Sequence, residues 1–257
     1  MNLTESMRHD WDERARHNAF HFIASWRHDW NTEAFFASGE EDYQRLVAPP
    51  LARWQWAPQG KTVLELGCGA GRMTRSFASR FGRVVALDIS SEMLARAKEL
   101  LAGVPNIAWL QGNGKDLSVV EAESMDFVFS YIVLHHMPVE RLALGYIREM
   151  LWVLKPGGAF IFQFSTLHQP TMNWKGRLAW AVVDAPWLVG LRSVSRGVAS
   201  LLGLPPDLAG KSWRGTTLSV DEVRGVVSRA GGSIREISGE GTAMTWCGGI
   251  KSVAQVQ

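Results

Sequence analysis

The sequence predicts a doubly wound α/β fold: a mostly parallel seven-stranded sheet with its last strand antiparallel, plus an N-terminal helical cap and a helical insertion. Three observations predict it. Short apolar runs alternate with helical patterns from 61 to 164, the first run ends in three glycines within five positions, and the tail holds two closely spaced strand-like runs. Strands that are apolar at nearly every position belong to a parallel sheet covered on both faces. Right-handed crossovers between them make the domain doubly wound.

The first run, TVLEL at 62–66, is β-branched and aliphatic, and 72–80 reads as a helix. A second run at 83–87 precedes SEMLARAKELL, a helix over 91–101 with Ser90 placed to cap it. Runs three and four occupy 107–110 and 125–133. A helix over 138–154 opens on Pro138, which the first turn tolerates because no intrahelical bond is lost there. The turn Lys155-Pro156-Gly157-Gly158 leads into a fifth run at 159–164. In the tail, 221–230 is helical, 233–238 is strand-like and 243–246 opens another strand. Two strands so close in sequence form a hairpin, so the last is antiparallel.

Two segments leave this rhythm. Residues 1–60 look helical, with Trp11, Ala15, Ala19, Phe22 and Trp26 at three- and four-residue spacing. They are expected to form a cap on a domain spanning 61–257. Residues 165–217 interrupt the pattern after the fifth strand and are expected to form a lid over a substrate pocket. The cap carries six basic and nine acidic residues, the insertion six basic and two acidic.

The whole chain, 257 residues with net charge +2, has no basic excess to suggest a nucleic-acid partner. Cys68 and Cys247 make neither a disulfide framework nor a metal spacing, and a cytoplasmic, reducing setting fits them. The polar N-terminus does not read as a secretory signal, and there is no apolar run of membrane-spanning length. Either a monomer or a homodimer is compatible with this composition.

The chemistry concentrates in VLELGCGAG, residues 63–71. Glycine is tolerated in such a cluster where backbone turns sharply or lets a ligand approach closely. A strand, a glycine loop and a helix begin many nucleotide-binding α/β domains. The third glycine of the dinucleotide pattern would fall at Arg72, and no Lys-Ser/Thr pair follows as a phosphate loop requires. This speaks against a nicotinamide oxidoreductase. Asp88, at the end of the second run, lies where an acid accepts hydrogen bonds from ribose hydroxyls. Asn113, in LQGNGKDL, either addresses an adenine edge or belongs to an Asn- and Gly-rich turn.

Together these motifs resemble those of class I S-adenosylmethionine-dependent methyltransferases of the small-molecule type related to quinone biosynthesis, a Rossmann-like family. VLELGCGAGRMT is similar to the family's first motif, with Glu65 as its acid. ALDIS matches the ribose-binding motif through Asp88, and MDFVFSYIVLHHMP and LWVLKPGGAFIF resemble the segments around strands four and five. Asn113 departs from the family's usual Asp. The resemblance implies S-adenosylmethionine as cofactor, with S-adenosylhomocysteine as product. The cofactor-binding candidates are Glu65, Gly67, Cys68, Gly69, Gly71, Asp88, Ile89, Asn113, Gly114 and Ser130. Trp11 joins them, because relatives often put an aromatic residue over the cofactor there.

A sulfonium donor is already activated, so catalysis needs alignment of the acceptor and, for a hydroxyl or ammonium, a base. Candidate bases are His135 and His136, just beyond the fourth strand, and His168, past the fifth. His17 and His21 fit a solvated helix face better than a metal site, since no third ligand is evident. Trp26, Trp30, Trp54 and Trp56 read as core. The apolar stretch 177–202, with arginines at intervals, is compatible with a packed helical lid, an apolar substrate pocket, or peripheral contact with a membrane surface. The reading is methyl transfer to an oxygen or nitrogen of a small, partly apolar metabolite. A macromolecular acceptor (RNA or protein) and a non-catalytic cofactor-binding sensor are the rivals.

Overall fold

The computed structural model describes residues 3–27, 29–167, 174–188, 191–204 and 215–253. Seven strands form one sheet: β1 (Thr62–Leu66), β2 (Arg83–Asp88), β3 (Ile107–Gln111), β4 (Met125–Ser130), β5 (Leu154–Phe164), β6 (Gly232–Ser238) and β7 (Thr245–Lys251). Their order is β3-β2-β1-β4-β5-β7-β6. The first five pair in parallel, and β7 runs antiparallel to both β5 and β6.

Because side chains alternate across a strand, each central strand feeds two cores. Leu64, Leu66, Val85, Val128, Phe160 and Phe162 meet α6 (Glu140–Val153) on one face. Val63, Val84, Ala86, Phe127, Phe129 and Ile161 meet Phe77 of α4 (Thr74–Ala78) and Leu51 of α3 (Ala48–Arg53) on the other. Helix α5 (Ser91–Leu100) starts where expected, its Ser90 hydroxyl accepting from the Met93 N–H. The C-terminal helix, Val220–Arg229, opens with a complete capping box between Ser219 and Glu222.

Several boundaries differ from the sequence reading. The expected strand to 133 stops at Ser130, because Ile132 turns left-handed at φ 57°. The Lys155–Gly158 turn lies inside β5 as a bulge: Met125 pairs with Leu154, but Phe127 pairs with Ala159. Pro138 precedes the helix, which starts at Glu140.

The N-terminal segment is helical but bent. Helix α1 (Leu3–Ile23) breaks at Asn18, with φ −166° and ψ 88°, and the Asn18 Oδ1 accepts from the His21 N–H to restart it. Helix α2 (Thr32–Asp42) follows, capped by Asn31. Trp30 and Trp56 are partly buried and donate to the Ala24 and Gly157 carbonyls. Trp26 departs from its core assignment: it lies beyond the end of α1 and is 57% exposed. The insertion contributes two helices, α7 (Trp174–Leu188) and α8 (Arg192–Leu201), and with them the C-terminal helix becomes α9.

Candidate active site

The carboxyl ends of β1, β2 and β4 open onto a cavity of about 1020 Å³ counted out to its mouth. Its floor is built by the loop after β1. Gly67 and Cys68 donate their N–H groups to the Leu87 carbonyl at 2.7 and 3.0 Å, folding the loop over the end of β2. This path needs left-handed backbone at Gly67 and Gly69, φ 77° and 53°. A Cβ at Gly67 would stand 2.1 Å from a methyl of Val133, so only glycine fits.

Two buried acids face the loop. Asp88 accepts from the Gly69 N–H and the Ser90 N–H, both at 2.8 Å, one on each carboxylate oxygen. It braces the loop and keeps a free acceptor direction on each oxygen. Burial lifts its pKa to about 6 against the pull of those N–H groups. Glu65 accepts from the Thr74 hydroxyl at 2.5 Å. Burial pushes its carboxyl to about 8, only partly opposed by Thr74 and the Arg72 charge. A buried acid at that value is poised to ionise when a cation arrives.

Of the residues singled out by sequence, Trp11, Glu65, Gly67, Cys68, Gly69, Asp88, Ile89 and His136 line the cavity together. The Trp11 ring meets the His136 ring edge-on at 5.3 Å. Others lie outside its lining. The Asn113 amide is engaged in its own loop, donating to Asp116 at 2.7 Å and accepting from the Lys115 and Asp116 N–H groups, which favours the turn role. Gly114 packs against Ile89, Thr4 and Met7, and Gly71 against Leu101. The Ser130 hydroxyl donates to the Leu66 carbonyl. His135 turns away from the cavity to donate Nδ1–H to Gln163 Oε1 at 3.1 Å, and burial holds its pKa below the ordinary value. His168 lies outside the described residues.

The walls include residues that sequence reasoning missed. Met7, Phe22 and Ile23 reach in from α1, and Met93, Tyr131 and Tyr146 close the sides. No local pattern marks these contacts, except that Tyr131 directly follows β4. Arg72, read above only as an obstacle to a dinucleotide, also lines the cavity. It is buried and paired with buried Asp42 at 2.7 Å, and it donates to the Ser38 carbonyl. Its guanidinium lies 5.4 Å from the Trp26 ring centroid and 5.6 Å from that of Tyr131. Arg72 therefore fastens α2 to the glycine loop.

Gln163 is fully buried and makes four hydrogen bonds. Its oxygen accepts from His135 and from the Ile132 N–H, and its amide nitrogen donates to the Phe164 and Ala243 carbonyls. A β-branched residue in left-handed backbone is strained. Gln163 thus holds the strained Ile132 turn, next to His136, against the end of β5.

This sheet order, with antiparallel β7 beside β5 and the cavity at the parallel strands' carboxyl ends, is a Rossmann-like α/β fold. Magnesium protoporphyrin IX methyltransferase from Synechocystis, solved with bound S-adenosylhomocysteine, shares it: TM-score 0.62 at 17% identity, over 98% of this chain and 100% of that one. Residues 63–158 match the methyltransferase domain model. That match spans the glycine loop, Asp88 and His136. An uncharacterized methyltransferase of Synechocystis is 39% identical over 136 residues, covering 53% of this chain and 58% of that protein. A 2-phytyl-1,4-naphtoquinone methyltransferase of Thermosynechococcus vestitus is 35% identical over 116 residues, 44% of this chain and 50% of that protein. The chain thus spans about half to three-fifths of the length of these curated relatives.

Proposed function

We propose that the protein transfers a methyl group from S-adenosylmethionine to an oxygen or nitrogen of a small, partly apolar metabolite. The observation that carries this reading is the meeting of Glu65, Asp88 and the Gly67–Gly69 backbone at one cavity with apolar and aromatic walls. The residues fit the donor. Asp88 offers acceptors to ribose hydroxyls, and the bare loop backbone admits close approach. Glu65 faces the cavity as the acid able to balance an ammonium or sulfonium charge.

When bound, the donor supplies a methyl group on a positively charged sulfur, a good leaving group. The chain's own part is positional. Trp11, Phe22 and Tyr131 wall the cavity and limit water. His136 is the candidate base that lines the cavity, and an imidazole is the side chain that most often removes a hydroxyl or ammonium proton. His135 and Gln163 position it by fixing the turn on which it sits.

Quinone-type relatives and the largely apolar walls both favour an acceptor with an apolar body. The test is turnover of methyl-labelled donor against a panel of phenols, hydroxyquinones and amines. Label appearing in a small organic product supports the reading. Donor binding without turnover, or label only in RNA or protein, overturns it.

A further inference from the structure

We propose that the helical pair α7–α8 is a docking surface for an anionic lipid bilayer. The surface is inside out. On α7 the described exposed positions are Leu178, Ala181, Val182 and Ala185, all apolar. Its acid, Asp184, is buried instead. On α8 and its flanks, Leu191, Val194, Leu201 and Leu202 are exposed, Leu201 at 87%. These positions fall on one side of the buried Ser195–Ala199 ridge, whereas Ser193, Arg196, Gly197 and Ser200 are exposed elsewhere on the helix. The two helices are held as a unit: Val183 packs with Ala199, and the Ser195 hydroxyl donates to the Val183 carbonyl at 2.6 Å.

Exposed apolar patches on this scale mark contact surfaces. The chemistry selects the occupant. The exposed large side chains here are aliphatic, whereas protein-binding cores are enriched in aromatic residues and carry hydrogen-bonding groups. An aliphatic arc within a basic segment is what an interfacial helix presents to a bilayer. The insertion is the basic part of the chain, with six Lys or Arg against two Asp over 165–217, and Lys175, Arg177 and Arg192 open the two helices. That charge complements anionic headgroups.

The surface is also tied to the site. Trp187 of α7 accepts from the Ser6 hydroxyl, and Arg196 of α8 pairs with Glu13 at 3.1 Å. Ser6 and Glu13 lie on α1, the helix that supplies Met7 and Trp11 to the cavity.

The experiment is flotation of the full chain with vesicles of phosphatidylcholine alone and of phosphatidylcholine mixed with phosphatidylglycerol. It is repeated on the variant L178S/V182S/L201S, with circular dichroism to verify its fold and sedimentation velocity on both proteins. The wild type should float with the anionic vesicles and much less with the neutral ones. The variant should keep its fold and lose about tenfold in partitioning. Three outcomes overturn the proposal: no flotation of the wild type, undiminished flotation of the folded variant, or a wild-type dimer that the variant abolishes while vesicles go unbound. The last would assign the face to a second copy of the chain. None of these outcomes depends on donor binding, so failure here is distinct from failure of the methyl-transfer reading.

Discussion

The sheet and the helical pair α7–α8 use apolar side chains in opposite ways. In the sheet, Leu64, Val128 and Phe160 are fully buried between strand and helix. In α7–α8, Leu178, Val182 and Leu201 are exposed while Asp184 and Ser195 are buried. Apolar content alone therefore does not locate a core. What distinguishes the two regions is where their polar groups find partners. The central sheet leaves its charged groups at strand ends, where Glu65 and Asp88 meet the loop. The pair α7–α8 turns the Ser195 hydroxyl onto the Val183 carbonyl between its two helices and leaves the apolar arc exposed.

That contrast can be broken or sharpened by substitution. The largest effect is expected at the site: His136→Ala should lower kcat by about 10²–10⁴-fold for a hydroxyl or ammonium acceptor, with donor affinity little changed. Single-turnover rates would check it, and an unchanged rate would remove His136 as the base. In the sheet, Phe160→Ala should cost about 3–5 kcal/mol in urea unfolding, because its cavity cannot collapse between two covered faces. Next, Asp88→Ala should weaken donor binding by about 1–3 kcal/mol through lost hydrogen bonds and a slackened glycine loop. The smallest effect belongs to α8, where Leu201→Ser should shift stability by no more than about 0.5 kcal/mol. A loss comparable to that of Phe160→Ala would mean that this face is core after all.

The two acids add a pH dependence. Glu65 is raised from 4.5 to about 8, and Asp88 from 3.8 to about 6. The free folded protein therefore binds protons that the unfolded chain has released, so its stability falls as pH rises from about 4 toward 8. Glu65→Gln should flatten that fall in thermal melts. A donor cation beside Glu65 stabilises the ionised form, so donor binding near neutral pH should release a proton. Calorimetry in buffers of different ionisation enthalpy would detect it.

Much of the fold was legible because runs apolar at every position have one stable use, a covered parallel sheet. The limits of elements were less so. Strand β4 ends early because Gln163, thirty-odd residues away, holds Ile132 in a left-handed turn, and no local pattern encodes that bond. That Glu65, Asp88, Gly67 and Gly69 share one cavity was legible because strand, loop and helix place them by sequence proximity. Arg72, Phe22 and Tyr131 were not read as walls, since their position depends on how the cap meets the loop. Asn113 was ambiguous for a physical reason: an adenine contact and a turn role look alike in sequence, and only the folded loop shows its amide engaged with Asp116 and Lys115.

The account rests on one cavity recognising one donor. Titration calorimetry of S-adenosylmethionine and S-adenosylhomocysteine into the wild type and into Asp88→Ala tests it most directly. Saturable binding of both by the wild type, with weaker binding by the folded variant, is the predicted result. No saturable heat with either compound, or equal affinities in the two proteins, would contradict it.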